Sequence, residues 1–249
     1  MKATGFKGTM GVTSGILTAD EIKDPKAETA KEKDLPYKVD RGIAKVHAEK
    51  WPFPPEEGEK EPEFQYDPHI WTSTKNTMIQ VKNIGYFLGK ALPKSKSIFD
   101  EHVEKFVKSL TDLDAWATKA LNSVPQKHRV LFTSHDAFGY FSRDYNVKFI
   151  GAALSDFNSQ QDATADHIQK AAEDVKKSGA VAIFAENSNN SKSIKAVAAA
   201  AGVKAVIGDD ALYGDSLGPV GSAGETYIGS IVHNLSLIHI SEPTRRTPI

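Results

Sequence analysis

The rhythm of apolar and polar positions changes twice along this chain. Residues 1–66 hold no sustained period. Gly5, Gly8, Gly11 and Gly15 crowd the start, and Pro52, Pro54, Pro55 and Pro62 crowd the end among Glu56, Glu57, Glu59, Glu61 and Glu63. Such a stretch reads as irregular, closing in a solvated acidic loop. Within it, residues 10–17 are too rich in Gly and Thr for the apolar core of an export signal, and predict a strand and turn. From Lys75 the period becomes helical, with Met78, Val81, Ile84 and Leu88 at steps of three and four, until Pro93 stops it. A longer helix is predicted over 97–123, carried by Phe99, Val103, Phe106, Leu110, Leu113, Ala117 and Leu121, with Asp100 and Glu101 in its first turn and Pro125 beyond its end.

After residue 126 short apolar runs alternate with amphipathic stretches. Strands are predicted at 129–133, 147–150, 181–184 and 204–207. Helices are predicted at 138–145, at 163–178 ending on Gly179, and at 191–201 ending on Gly202. Continuous apolar strands separated by helices imply a parallel sheet covered on both faces, hence an α/β fold. Ligands of such sheets lie beyond the C-terminal strand ends. The first strand runs into Ser134-His135-Asp136, the third into Glu186-Asn187, and the fourth leads to Tyr213-Gly214-Asp215-Ser216.

Composition narrows the chemistry. Of 249 residues, 40% are hydrophobic and 25% charged, and the net charge is −1, which gives no footprint for nucleic acid or an anionic membrane. No stretch approaches the roughly 20 apolar residues a membrane helix needs. Cysteine is absent, so disulfides, thiolate nucleophiles and thiolate metal sites are excluded together. A metal site would be built from His, Asp and Glu, which favours Zn²⁺, Mn²⁺ or Fe²⁺ over Cu⁺. His69, His135 and Asp215 all sit at segment ends and are the candidate ligands. His47, His102, His128, His167 and His233 read as surface or helix-face histidines. Ser134-His135-Asp136 is no catalytic triad, because adjacent residues cannot adopt nucleophile–base–orienter geometry.

Three motifs occur in order: Asp67-Pro68-His69-Ile70-Trp71, then Thr133-Ser134-His135-Asp136-Ala137-Phe138-Gly139-Tyr140-Phe141, then Leu212-Tyr213-Gly214-Asp215-Ser216-Leu217. Over roughly residues 66–234 the chain resembles the cluster A-I (zinc/manganese) solute-binding proteins of ABC transporters, and Thr226-Tyr227-Ile228-Gly229 with His233-Asn234 is similar to that family's last helix. The resemblance implies two lobes joined by a long strut helix, with the transported ion held between them. It implies His69, His135 and Asp215 as the second, third and fourth ligands. His at the third position leans towards Zn²⁺, with Mn²⁺ as the alternative. Glu186 matches a recurrent family Glu and is expected to hydrogen-bond near a ligand or cap the next helix rather than bind the ion directly. Asp136 is expected to cap the helix at Ala137, and Trp71 and Phe138 to pack around the site.

By the same resemblance, the family's first ligand has no match before residue 66. The chain is expected to be a fragment lacking most of the N-terminal lobe, with residues 1–94 its remnant, 95–125 the strut, and 126–234 the C-terminal α/β lobe. Residues 235–249 match the translation of a transposase sequencing adapter, so His239 is set aside. The implied function is capture of Zn²⁺ or Mn²⁺ outside the cytoplasm, in a periplasm or lipid-anchored at the cell surface, by a monomer that serves an ABC-transporter membrane permease and no nucleic acid. A zinc-dependent hydrolase on an α/β fold and a metal-stabilised adhesin are the alternatives. The hydrolase lacks a His-Glu-x-x-His pattern and would need Glu186 as its base.

Overall fold

The computed structural model describes residues 5–26, 32–55, 60–62, 64–150, 164–188 and 191–240. The chain divides into two compact units, one of residues 1–51 with 64–112, the other of 52–63 with 113–249. Of the acidic loop, Glu56, Glu57, Glu59 and Glu63 fall outside the described residues, as does Ala163.

The first unit is more regular than its sequence predicts. Strand β1 (Thr9–Gly11) and strand β2 (Lys38–Asp40) pair in parallel, with helix α1 (Ala19–Lys23) between them in sequence. Thr18 caps α1 by accepting the N–H of Glu21. Glu21 is buried, yet its Oε2 accepts the Leu17 N–H at 2.9 Å and its Oε1 meets Arg41 Nε at 2.7 Å and Lys45 at 3.3 Å. Burial opposes its ionisation, but these partners outweigh burial and hold the carboxyl below its ordinary range. Two helices complete the unit's order. Helix α2 runs over Thr74–Ala91, and helix α3 over Lys96–Asn122, its last turns belonging to the second unit.

Helix α2 turns a face to the interior that its apolar stripe does not predict. Ile84 and Leu88 remain 43% and 41% exposed. The buried residues are instead Thr74, Asn76, Thr77, Asn83, Gly85 and Gly89. The cause is hydrogen bonding. Asn83 Oδ1 accepts the N–H groups of Ile43 (2.9 Å) and Ala44 (3.1 Å), while its Nδ2 donates to the carbonyls of Thr13 and Ala44, both at 2.8 Å. Asn76 bonds both main-chain groups of His47 in the same manner. The irregular segments need these partners because buried main-chain polar groups are costly to leave unpaired. The displaced stripe, with Phe99, Val103 and Phe106 of α3, lines an apolar groove of about 480 Å³ within this unit. Helix α3 begins earlier than expected, so its first turn carries no acidic residue. Asp100 and Glu101 instead pair with Lys96 and Lys105 at i,i+4 spacing.

The second unit is the parallel α/β layer the sequence predicts. Strand β3 (Val130–Leu131) pairs with β4 (Lys148–Phe149), and β5 (Ala182–Phe184) with β6 (Lys204–Val206), all in parallel. A parallel bridge between Thr133 and Phe184 ties the two pairs, giving the order β4-β3-β5-β6. Helix α4 spans Gly139–Tyr145, α5 Ala165–Ser178, α6 Lys192–Ala201 and α7 Tyr227–Ile240. Phe132 and Ile183 pack with Ala172 and Val175 of α5 and Ile194 and Val197 of α6 in one cluster. Leu113, Ala117 and Leu121 of α3, Tyr140 and Phe141 of α4, and Ile231 and Leu235 of α7 supply further buried side chains. Helix α7 runs unbroken past the expected boundary at residue 234, with Leu235 and Ile238 buried. Residues 241–249 lie outside the described residues.

These contacts set opposite expectations on one helix. Asn83→Ala removes the partner of four part-buried main-chain groups and should cost about 1–3 kcal/mol, because a buried group left unpaired costs roughly 1–3 kcal/mol and water can reach some of these. Leu88→Lys should leave stability within about 0.5 kcal/mol, as exposed substitutions do. Urea unfolding of the two variants checks this, and the reverse order of effects would refute the assignment of the buried face.

Candidate metal centre

His69 opens a short 3-10 turn over Ile70–Thr72 in the first unit. Its ring Nδ1 lies 2.8 Å from Asp67 Oδ1, which also accepts the His69 main-chain N–H at 2.9 Å. Both residues are buried. A carboxylate on Nδ1 fixes that nitrogen as the protonated one and places the lone pair on Nε2, the arrangement of a metal-ligating imidazole. Trp71 meets the ring edge-on at 5.5 Å and Trp51 lies at 6.1 Å. Thr72 Oγ1 donates to the His69 carbonyl and anchors the turn.

His135 and Asp215 belong to the second unit, and there the chain brings them together. Beyond β3, Ser134 N–H donates to the Phe184 carbonyl, and Ser134 Oγ accepts the Glu186 N–H, so the strand end is fastened to β5. His135 follows, its main-chain N–H donating to Glu186 Oε1 at 3.2 Å. Its Nε2 lies 3.0 Å from Asp215 Oδ2. The hydrogen bond to Asp215 raises the His135 pKa to about 9, against the opposing effect of burial and with help from the nearby charges of Glu186 and Asp136. Without metal the two side chains therefore form an imidazolium–carboxylate pair.

Glu186 underlies both. It is buried, and its Oε2 has no hydrogen-bond partner among the described residues. Burial pushes its carboxyl well above the ordinary range, with the His135 charge acting in the opposite direction. A Cβ added at Gly214 would lie 2.0 Å from Oε2, so only glycine admits this approach beside Asp215. Of the two roles expected for Glu186, the bond near His135 is present. The cap is not, because Ser191 occupies the N-cap of α6. Asp136 likewise does not occupy the N-cap of the next helix. Helix α4 starts at Gly139, with Phe138 in the cap position and no side-chain cap bond. Phe138 is fully buried, whereas Trp71 is partly exposed. His233 departs from its surface reading. Half-buried on α7, it packs on Tyr213 at 4.8 Å and sets Nε2 3.0 Å from the Ala211 carbonyl.

Imidazole held by a carboxylate, as in His69 on Asp67 and in His135 on Asp215, is donor chemistry of the kind that suits a borderline divalent cation. The sequence pattern of the family described as "Zinc-uptake complex component A periplasmic" matches residues 9–240, and the chain belongs to that family. The match reaches well before residue 66 and includes the β1–β2 region. The chain is 29% identical to the manganese-binding lipoprotein MntA of Bacillus subtilis, over 94% of this chain and 76% of that protein. It is 34% identical to the zinc-binding protein TroA of Treponema pallidum over 71% of this chain, a stretch spanning 57% of the relative's length. The solved structure of the periplasmic zinc-binding protein TroA superposes with a TM-score of 0.67 at 26% identity, covering 93% of this chain and 87% of that one. The protein is thus a cluster A-I metal-type solute-binding protein and not an enzyme, and the hydrolase alternative is not favoured. Among the described residues no helix is long and apolar enough to cross a membrane.

The His135–Asp215 pair gives the metal-free protein a pH signature. A histidine whose folded pKa is raised from 6.5 to about 9 contributes stability that is fully present below pH 6.5 and is lost as pH climbs through about 9. In chelator, the urea midpoint should therefore fall over that window, and Asp215→Asn should abolish this part of the slope. An NMR titration should place the His135 midpoint near 9 in the parent and lower in the variant. A parent midpoint near 6.5 would refute the pair.

Proposed function

We propose that this protein captures Zn²⁺, with Mn²⁺ as the competing cargo, using His69, His135 and Asp215 as ligands, and yields it to the membrane permease of an ABC importer. It does so outside the cytoplasm, as its zinc-binding and manganese-binding relatives are named periplasmic proteins or lipoproteins. The observation that carries the reading is the His135–Asp215 pair, 3.0 Å apart on a buried support. Glu186 supports the site from behind His135 and Gly214. The zinc preference follows from the donors. For a given N/O set, divalent affinity rises from Mn²⁺ towards the end of the series, and imidazole suits Zn²⁺ better than Mn²⁺.

Competition against a chromophoric chelator tests this. His69→Ala, His135→Ala and Asp215→Ala should each weaken Zn²⁺ binding by at least about 100-fold, above the 10–100-fold typical when only a supporting group is removed. Zn²⁺ should displace bound Mn²⁺ at equal concentration. A variant that keeps the parent's affinity removes that residue from the ligand set. Equal competition by the two ions would sink the zinc preference and leave the site itself standing.

A further inference from the structure

The loop that presents Asp215 starts at Tyr213, and Tyr213 is held by a residue on a different element. Asn234, on α7, is fully buried. Its Oδ1 accepts the Tyr213 N–H at 2.9 Å and its Nδ2 donates to the Tyr213 carbonyl at 2.9 Å. One carboxamide thus satisfies both main-chain groups of a single residue, the service a neighbouring strand would otherwise supply. Only Asn or Gln carries a donor and an acceptor in that fork, and Asn is the shorter reach. An Asp would turn a second acceptor on the carbonyl, and an aliphatic side chain would strand both groups.

The remainder of the loop is built around the residue so held. A Cβ at Gly218 or Gly224 would lie 2.9 Å or 2.2 Å from atoms of the Tyr213 ring, and the Gly218 N–H donates to the Gly224 carbonyl at 2.8 Å to close the loop over it. On the other side, Asn187 Nδ2 donates to Ser216 Oγ at 2.8 Å. Asp215 therefore sits between Tyr213, fastened by Asn234, and Ser216, fastened by Asn187. Asn187 also reaches the Ser216 carbonyl, at 3.4 Å, but that clamp is exposed, whereas the buried Asn234 holds both main-chain groups of its residue at 2.9 Å and so governs the path of the backbone. A displacement of Tyr213 passes directly to a carboxylate two residues on.

We infer that Asn234 is a positioning residue for metal capture, acting through Asp215 and not on the ion. The inference rests on the reading of Asp215 as a ligand. The test is a double-mutant cycle on the full chain with Asn234→Ala, Asp215→Ala and the pair. It reads the Zn²⁺ Kd, the Co²⁺ absorption spectrum, and the Tm of each metal-free protein. Asn234→Ala should weaken Zn²⁺ by roughly 10–100-fold at a temperature where the metal-free protein is folded, as loss of a ligand's support does. Its Co²⁺ spectrum should shift towards that of Asp215→Ala. In the Asp215→Ala background the further loss should be under about threefold, because interacting residues are non-additive. A purely structural Asn234 would lower Tm and leave the Kd of the folded protein and the Co²⁺ spectrum unchanged, which overturns the inference. So does a loss that adds in full to Asp215→Ala. If Asp215→Ala alone keeps the parent's affinity, the ligand reading fails first and this inference fails with it. Should Asn234→Ala not fold, Asn234→Asp, which keeps the acceptor and loses the donor, enters the same cycle.

Discussion

Backbone that is neither helix nor strand must still find partners for its N–H and C=O groups once it is buried, and this constraint shapes both units. The protein answers it repeatedly with asparagines on helices. Asn76 and Asn83 of α2 serve His47 and residues 13, 43 and 44. Asn234 of α7 serves Tyr213. Segments too irregular to join a sheet are thereby fixed as firmly as strands. A loop that must present a ligand at a set angle cannot also follow the straight path of a strand, so the partner has to come from a side chain.

The electrostatics of the second unit follow from the same layout. Glu186 is carried inward by the end of β5, where its neighbours leave one carboxylate oxygen facing the His135 main chain and the other pressed towards Gly214. Burial alone would make an ionised carboxylate there expensive. The positive charge that His135 acquires from Asp215 partly offsets that cost. The three groups are therefore coupled. Removing the imidazolium changes the balance for both carboxylates, whereas a simple exposed ion pair would contribute little.

What could be read from the sequence divides along a physical line. The four parallel strands, the helices between them and the long α3 were legible because continuous burial imposes a period on the residues themselves. The placement of His135 and Asp215 at one sheet rim was legible because strand ends of a parallel sheet share a side. The orientation of α2 was not, since an apolar stripe at Val81, Ile84 and Leu88 states which positions are alike and not which face the fold buries. The polar positions Asn76 and Asn83 that do face inward carry no periodic signal. Strand β1 overlaps the strand and turn expected from residue 10, whereas β2 and its pairing with β1 were hidden because a strand of three residues is too short for alternation to register. Asp136 shows the limit of local rules: a residue well suited to capping precedes a helix that starts two positions later than the rule assumes. The pairing of Asn234 with Tyr213 spans 21 residues, and no local pattern encodes it.

The supports behind His69, His135 and Asp215, the ligands proposed above, differ in kind. His69 is fixed through its side chain. Asp67 holds Nδ1 and the main-chain N–H together, so the ring is oriented before any ion arrives. His135 and Asp215 are fixed through main chain, by Glu186 on the His135 N–H and by Asn234 on Tyr213. Their side chains are committed to each other at 3.0 Å. An ion that takes both must first break that bond, which lowers net affinity by the strength of a charge-assisted contact. In return, the two donors are kept adjacent and their charges matched. For the ligand set proposed above, preorganisation of one residue and mutual protection of the other two would suit both uptake and release, because affinity would be bounded from above by a competing state built into the site itself.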